Sequence, residues 1–315
     1  MRWLPIVAAL VVLAVLYAVI DLGEMGRVLA GTSWSILAWA IALLVGLVAI
    51  SGLRLAALAR VAGYALPGRV AIEATLAANA LNLFVPGKLG DVLKAALMAD
   101  PGGGTTGRAT VLVAWEKLAD LASLLLLAGL VLLSRQPDAV AGWALSGLGM
   151  ALVGLLLWPG AMAWAARITP RMAPIAEGWR DIVAMLRGRP GGLTVVLAIT
   201  LGLWAGHLAQ ISLMALALGV TGDAALWAQV AAGATLAIVV GLVPITIAGL
   251  GTRDAALVLF MGPIIGTGTA AALGVLFILR YAVPALIGAP LLPRLLGALS
   301  AHARKQFRWP RRAPD

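Results

Sequence analysis

The sequence predicts an all-α, polytopic membrane protein with six full transmembrane helices and two re-entrant hairpins, and three observations support this. Hydrophobic residues make up 62% of the 315 residues, charged residues only 11%, and the mean hydropathy is +1.03. A soluble domain has about 45–50% apolar and about 25% charged residues. Apolar runs recur along the chain, and two breaks that contain proline and glycine interrupt them about half a chain apart.

Six of the apolar runs are long enough to cross about 30 Å of hydrocarbon as helices. They cover residues 4–20, 34–53, 109–133, 140–166, 193–218 and 269–292. Four further runs form two pairs, 70–85 with 89–98 and 225–243 with 252–261. The second run of each pair would reach only about 15 Å as a helix. We therefore expect each pair to form a re-entrant hairpin, although a tilted pair that crosses fully would preserve the same topology.

The two breaks share a composition that is unusual at membrane depth. The first contains Pro86 and Gly87, and the second contains Pro244, Gly249 and Gly251. Proline lacks a backbone N–H and clashes with the preceding helical turn, so a helix that enters such a break ends there. Ionisable residues surround both breaks, and in hydrocarbon such residues usually face the protein interior or a wet cavity. The breaks are therefore the predicted centre of function.

The net charge of +10 is unevenly distributed, which predicts the ends of the spans that are cytoplasmic. The basic segments are 54–69, 167–192 and a tail at 301–315, whereas the connections at 21–33, 134–139 and 219–224 are close to neutral. Because lysine and arginine accumulate on the cytoplasmic side, we expect both termini in the cytoplasm. The first hairpin then enters from the cytoplasm and the second from outside. Residues 1–137 and 138–300 would form an inverted repeat within one transmembrane domain, 1–300, as in many secondary transporters.

Eleven polar residues near the breaks are candidates for binding a ligand. They are Asn82, Lys88, Asp91, Lys94, Glu116, Lys117, Asp120, Thr252, Arg253, Asp254 and Arg280. One interpretation is that the charges pair with one another and only fix helix packing. Buried ion pairs can often be replaced by apolar contacts without loss of stability, so packing alone is a poor reason for so many. We therefore favour a hydrated pathway that these residues line.

The polarity of the breaks indicates the kind of ligand. The second run of each pair would start a short helix near mid-depth, with its free N–H groups and positive dipole end pointing into the break. Nearby lysine and arginine side chains add positive charge, which suits an anionic group such as a phosphate. Asp91 and Asp254 would either cap their helices or contact a cationic or hydroxylated headgroup. An amphiphile fits best, with its polar head in the wet break and its chains in lipid.

Several other kinds of site are not supported. The chain has no cysteine, which excludes disulfides and thiolate metal sites. His207 and His302 are far apart in sequence and form no metal cluster, and a lone histidine in an apolar helix is usually a packing residue. No nucleotide-binding fingerprint is present, so no cofactor is expected. Nucleic acid is not an expected partner either, because the basic tail is better suited to anionic lipid headgroups.

These motifs resemble the flippase-like transmembrane region of the lysylphosphatidylglycerol synthases, the multiple peptide resistance factor family. The resemblance is carried by Phe84-Val-Pro-Gly-Lys-Leu-Gly-Asp91, by Lys94, by Glu116-Lys117 before Asp120, and by Gly249-Leu-Gly-Thr-Arg-Asp254. It covers nearly the whole chain. The resemblance implies a region that moves lipids between leaflets, and similar stand-alone proteins are associated with hopanoid and glycolipid pathways.

Two departures from the family limit what the resemblance implies. The synthases carry a soluble aminoacyl-transferase domain, whereas this sequence ends shortly after its last predicted span, so we do not expect it to make an aminoacylated lipid. Family members often have arginine where Lys94 and Lys117 stand here. Lysine keeps the positive charge but lacks the bidentate fork of arginine, so a particular phosphate geometry does not carry over.

The sequence therefore predicts a non-enzymatic lipid flippase of the bacterial inner membrane, acting as a monomer or a homodimer. Its expected partner is an anionic or aminoacylated phospholipid, a hopanoid or a glycolipid. One alternative is an ion-coupled secondary transporter of a small solute. Another is a non-catalytic partner in envelope-lipid biosynthesis. An intramembrane enzyme such as a lipid glycosyltransferase is less favoured, because the sequence has no Asp-x-Asp motif and no sizeable loop domain.

Overall fold

Every regular element that the computed structural model describes is a helix, and the described residues are 4–84, 90–98, 106–242, 246 and 249–297. The first six helices are α1 (Leu4–Val19), α2 (Leu22–Ala30), α3 (Trp34–Val61), α4 (Gly68–Phe84), α5 (Asp91–Met98) and α6 (Thr106–Leu133). The others are α7 (Val140–Leu157), α8 (Ala163–Ile168), α9 (Ala173–Arg187), α10 (Pro190–Ala217), α11 (Ala224–Gly241), α12 (Thr252–Ile265), α13 (Thr267–Phe277) and α14 (Leu279–Gly288). Short 3-10 turns cover Pro170–Met172 and Ala289–Leu291. The predicted all-α class is confirmed. Pro86, Gly87, Lys88, Pro244 and the tail 301–315 lie outside the described residues.

Five of the described helices are long and apolar enough to cross a membrane. They are α3, α7, α10, α11 and the continuous run Thr267–Gly297, which contains α13 and α14. The number rises to six if α1 and α2, which meet at a bend of 92°, count as one span. The helix α6 also has 28 residues, but Glu116, Lys117 and Asp120 in its middle reduce its apolar content. The chain is therefore a multi-pass membrane protein by the length and composition of its helices.

The segment 21–33, expected to be a short connection, contains the helix α2. The side chain of Asp21 accepts hydrogen bonds from the backbone N–H groups of Gly23 and Glu24, which caps the start of this helix. Its apolar residues Met25 and Val28 pack against the second core described below. The sequence prediction missed α2 because nine residues of mixed polarity resemble a loop when the helix face they bury is not known.

The segment 54–69 was expected to be a basic cytoplasmic loop, and this prediction is wrong for its first half. The helix α3 continues to Val61, and Arg54 is a buried residue inside it. A chain of apolar residues follows Arg54 and keeps the helix packed against its neighbours, so its single charge does not end the span. Arg54 therefore belongs to the interior of the protein and not to its cytoplasmic surface.

The predicted span 140–166 is two helices, and the predicted loop 167–192 is mostly helical. The helix α7 ends at Leu157 because Pro159 follows and has no backbone N–H to continue the hydrogen-bond ladder. The indole of Trp115 donates to the carbonyl of Leu156 at 3.1 Å, and so satisfies a group at this helix end. The amphipathic helix α9 fills the supposed loop and packs against α6.

The long helices α3 and α10 form the centre of the molecule and link two hydrophobic cores. They run antiparallel, since Val61 contacts Gly192 and Leu47 contacts Gly206. The first core contains Leu55 and Leu58 of α3 with α6, α9 and the start of α10. The second contains Leu37 and Ala40 of α3 with the end of α10 and with α11, α12 and α13. The middle of the α3–α10 pair therefore lies between the cores, and it is there that the polar residues gather.

Two glycines allow the helix α4 to approach its neighbours at backbone distance. A methyl group on Gly52 of α3 would lie 2.5 Å from the Cα atom of Ile72, and one on Gly288 of α14 would overlap the backbone of Leu76. Small residues permit such approaches between membrane helices, whose association depends on close van der Waals packing.

We expect Gly288→Ala to destabilise the protein, because the added methyl group meets the backbone of α4 and cannot be relieved by a side-chain rotation. A loss of about 1–3 kcal/mol in the free energy of unfolding is the typical cost of overpacking. The matched control is Gly154→Ala on α7, where nothing lies within 4 Å of the added atom. That control should keep or slightly raise stability, since alanine is the better helix former. Thermal unfolding in detergent measures both, and equal stability of the two variants would contradict the close α4–α14 contact.

Candidate functional site

Two adjoining cavities lie where α3, α6, α10 and α14 meet. The polar cavity has a volume of about 200 Å³ and is also lined by α4 and α5. Six of its lining residues are of the acidic, lysine or arginine types: Arg54, Asp91, Lys94, Lys117, Asp120 and Arg280. The apolar cavity has a volume of about 390 Å³ and lies on the side of α11 and α13. The two cavities share Lys117, Asp120, Trp204, Arg280 and Tyr281 as lining residues, so these side chains form the junction between them.

Arg54 is the centre of the charge cluster on one side of the polar cavity. Its guanidinium is 2% exposed and donates to Glu116 Oε1 at 2.6 Å and to both carboxylate oxygens of Asp120. Glu116 and Asp120 are four residues apart on α6, so they present their carboxylates from one helix face. The indole of Trp204 on α10 also donates to Asp120 Oδ1, at 3.1 Å. Arg54 thus joins α3 to α6, and Asp120 extends the contact to α10.

Two lysines complete this cluster around a shared aspartate. Lys94 Nζ lies 3.1 Å from Asp91 Oδ1 and 3.8 Å from Glu116 Oε2. Lys117 Nζ lies 3.5 Å from Asp91 Oδ2, and its side chain is 44% exposed. Three cations therefore face three carboxylates, and each carboxylate is paired. We refer to Arg54, Lys94, Lys117, Asp91, Glu116 and Asp120 as the paired cluster.

Arg280 of α14 also lines the polar cavity, but its partners differ from those of Arg54. It donates to the side-chain oxygen of Gln210, and its Nη2 atom lies 3.4 Å from Nδ1 of His207. Its guanidinium also stacks over the ring of Phe277, 5.2 Å from the ring centre. Within the described part of the chain Arg280 makes no salt bridge. Its partners are thus an amide, an imidazole and an aromatic ring.

The two arginines belong to side-chain pairs that join comparable helices. The helices α3 and α10 both have 28 residues, and Arg54 and Gln210 are each the twenty-first residue of their helix. Arg54 pairs with Glu116, and Gln210 pairs with Arg280. Glu116 follows Asp91 by 25 residues, and Arg280 follows Asp254 by 26, so these two also stand at comparable places in the sequence. Each pair therefore joins a long helix to a later helix, α6 or α14, but the cation is on the long helix in one pair and on the later helix in the other.

The residues at the second break form a separate group. Asp254 accepts from Arg253 at 2.6 Å and from the backbone N–H of Gly251 at 2.9 Å. Gly251 has a φ of 86°, a conformation that suits glycine, and this lets Asp254 fold back over the start of α12. The hydroxyl of Thr252 lies 3.0 Å from that of Thr246. Arg253 is buried and stacks on Phe277 and Tyr281, so it supports the wall behind Arg280.

The structure brings together part of the predicted candidate set. Six candidates line the polar cavity: Asn82, Asp91, Lys94, Lys117, Asp120 and Arg280. Asn82 also accepts from the backbone N–H of Gly90 at 2.8 Å, which ties the end of α4 to the start of α5 across the first break. Glu116 lies behind Arg54, and Thr252, Arg253 and Asp254 line neither of the two cavities. Lys88 lies outside the described residues, and a role in substrate binding stays a prediction for all eleven.

Several residues of the site were not among the candidates, and the sequence contained a signal for only some of them. Arg54 was missed because it sits at the end of an apolar run and was assigned to a loop. Its apolar continuation to Val61 was the available signal. His207 and Gln210 are polar residues one turn apart in a largely apolar span, but only His207 was considered, and it was interpreted as a packing residue. Nothing in the sequence distinguished Trp204, because tryptophan occurs in membrane helices for other reasons, such as anchoring at the membrane interface.

Removing the charge of Arg54 should destabilise the protein strongly. Arg54→Gln would leave Glu116 and Asp120 with less compensation in a buried setting, and breaking a buried ion pair from one side costs about 3–5 kcal/mol. The control is Arg69→Gln, because Arg69 is 81% exposed and its pair with Glu73 is worth under about 1 kcal/mol. Thermal unfolding of the purified variants in detergent measures the difference. If Arg54→Gln and Arg69→Gln unfold at the same temperature, the cluster is not buried as described.

Comparison with known proteins identifies the family. The sequence model of the Lysylphosphatidylglycerol synthase TM region matches residues 2–288, which include every helix from α1 to α14. No curated protein matches this chain at a significant level. The resemblance inferred from the motifs at the two breaks is thereby confirmed over most of the chain. This protein belongs to the Lysylphosphatidylglycerol synthase TM region family.

Proposed function

We propose that this protein moves an amphiphilic lipid between the two leaflets of the membrane, with the lipid headgroup held in the polar cavity. The observation that carries this proposal is the contact between the polar and the apolar cavity through five shared lining residues. A small polar solute needs only the first cavity. A molecule with a charged head and hydrocarbon chains uses both, with its head beside the paired cluster and its chains beside Leu118, Leu121 and Ile238.

Membership of the family supports a role connected with membrane lipids. The family is named after the transmembrane region of lysylphosphatidylglycerol synthase, and the product in that enzyme's name is a lipid. We propose that the present chain carries the lipid without changing it chemically. In support of this, each carboxylate of the paired cluster is already engaged by a cation, which suits holding a headgroup more than proton transfer.

We also propose the inverted repeat of residues 1–137 and 138–300, and much of the helix packing supports it. In that repeat α2 corresponds to α9, α4 to α11, and α6 to α13 with α14. The helix α6 packs against α9 and α11, while α13 packs against α2 and α14 packs against α4. The helices α1 and α7 depart from this pattern, since α7 lies along α6 and α1 contacts α12. Repeats of this kind allow a central site to be exposed to each membrane face in turn.

We further propose that the protein lies in the bacterial inner membrane with both termini in the cytoplasm. Arg54 no longer counts as a cytoplasmic charge of the segment 54–69, but Arg60 and Arg69 still do. The asymmetry of charge between the two sides of the membrane therefore remains. Four exposed tryptophans also lie where this orientation places the two membrane interfaces. Trp34 and Trp143 stand at the starts of α3 and α7, which begin on the outer side in this orientation. Trp158 and Trp164 follow α7 on the inner side, and such aromatic belts mark both membrane interfaces.

We expect a bulky residue in the apolar cavity to stop lipid movement. Leu121→Trp fills space beside α11 that the lipid chains would use, so transfer of fluorescent phospholipid between leaflets of reconstituted liposomes should fall to nearly the rate of empty liposomes. The control is Leu130→Trp on the same helix, because Leu130 is 57% exposed on the outer surface. That variant should transfer lipid like the parent protein.

Two results of the same assay would contradict the proposal. One is a parent protein that accelerates the transfer of no phospholipid above the rate in empty liposomes. The other is uptake of a small soluble solute that follows an ion gradient and does not respond to Leu121→Trp, which is the behaviour of the alternative solute transporter.

A further inference from the structure

We infer that Arg280 selects the charge of the cargo, binding the phosphate of an amphiphile whose headgroup carries one net negative charge and no cationic group. This inference rests on the proposed function and narrows it. Of the lipid classes that the sequence left open, it chooses the anionic phospholipids and disfavours aminoacylated and zwitterionic ones.

The charges of the described site do not balance. The paired cluster contains three cations and three carboxylates, and Arg253 with Asp254 forms a further matched pair. Among the described residues that line the cavities, Arg280 is the one cation outside these pairs, and its described side-chain partners carry no negative charge. The described site therefore has one positive charge more than it has negative charges. A ligand with one net negative charge would balance the charges of these described residues.

The two comparable pairs differ in how the protein compensates the guanidinium. At the twenty-first residue of α3, Arg54 meets two carboxylates, and at the twenty-first residue of α10, Gln210 meets Arg280 with an amide. A guanidinium removed from water is costly unless an anion or further hydrogen bonds compensate it. The protein supplies that anion internally for Arg54. For Arg280 it supplies an amide that orients the guanidinium without neutralising it, which leaves the charge for a ligand.

The position of Arg280 also suits a lipid phosphate. Arg280 lines both cavities, and so does Lys117, whose side chain is 44% exposed. In a phospholipid the phosphate lies between the headgroup and the acyl chains, so it would be placed at this junction when the head and the chains occupy the two cavities. A guanidinium has five N–H donors, and Gln210 and His207 engage one edge of it. The fork of an arginine matches two phosphate oxygens, which favours phosphate over a neutral polar group.

The paired cluster also disfavours a headgroup that carries a cation in addition to its phosphate. A zwitterionic or aminoacylated headgroup would bring a cation into the polar cavity. The three carboxylates of the paired cluster already have cationic partners there. Such a headgroup would have to displace one of them, whereas a headgroup that carries only hydroxyl groups beyond its phosphate would not.

The test compares two lipids with identical acyl chains, phosphatidylglycerol and phosphatidylcholine, on the full chain purified in detergent. The readout is the lipid concentration that gives half of the maximal rise in unfolding temperature. We expect the parent protein to prefer phosphatidylglycerol. Arg280→Gln should reduce this preference by roughly tenfold or more, the worth of one charge-assisted hydrogen bond. Arg280→Lys should keep the preference because it keeps the charge. Arg135→Gln, which removes an exposed arginine at the end of α6, should behave like the parent.

The sharpest variant is Gln210→Glu, which leaves Arg280 in place. The new carboxylate would give Arg280 the kind of partner that Arg54 already has, so the preference for phosphatidylglycerol should fall as it does in Arg280→Gln. A merely structural role predicts something else: a more stable protein with an unchanged lipid preference. That outcome, or an unchanged preference in Arg280→Gln, would overturn the inference.

One further comparison distinguishes a lipid phosphate from a soluble phosphate. Another distinguishes a failure of this inference from a failure of the proposed function. Soluble glycerol phosphate at the same concentration should protect the protein far less than phosphatidylglycerol does, and equal protection would overturn the assignment to an amphiphile. The same variants are then tested for lipid transfer in liposomes. Selective binding of phosphatidylglycerol without any transfer would contradict the proposed function and leave the inference standing. Equal transfer of both lipids, unaffected by Gln210→Glu, would contradict the inference and leave the proposed function standing.

Discussion

The buried contact of Arg54 with Glu116 and Asp120 is the constraint on which the rest of the site depends. A guanidinium inside a bundle of apolar helices is costly unless anions or further hydrogen bonds compensate it, and Arg54 has two carboxylates at hydrogen-bonding distance. Satisfying it fixes α3 against α6, and the bond from Trp204 to Asp120 adds α10 to the same point. The first and second cores lie on either side of this point, so the polar cavity is held open between two well-packed regions.

Much of this arrangement was predictable because membrane helices have strong signals in sequence. The long apolar runs gave most of the helices, and the charges beside the two breaks gave five of the six charged residues that line the polar cavity. The failures have physical causes. Arg54 looked like a loop residue because a single charge near the end of an apolar run is usually on the surface. The helices α2 and α9 were missed because amphipathic helices owe their stability to a packed face that the sequence alone does not reveal.

The partners of each charge were the least predictable feature. The sequence showed five cations and four carboxylates near the breaks, with Lys88 among the cations and Arg54 omitted. It contained no information on which of these would be neutralised. Only the side-chain contacts reveal that Arg280 faces Gln210 and His207, while Arg253 is matched by Asp254. Because of that difference, the anionic ligand expected from the sequence can be assigned to Arg280.

The central claim is that a lipid occupies both cavities, with its phosphate at their junction. The most direct measurement is an experimental structure of the protein in lipid nanodiscs that contain phosphatidylglycerol. The account predicts phosphate density within hydrogen-bonding distance of Arg280 and acyl-chain density beside Leu121 and Ile238. Cavities that hold only water, or an Arg280 side chain turned away from them and toward bulk solvent, would contradict it.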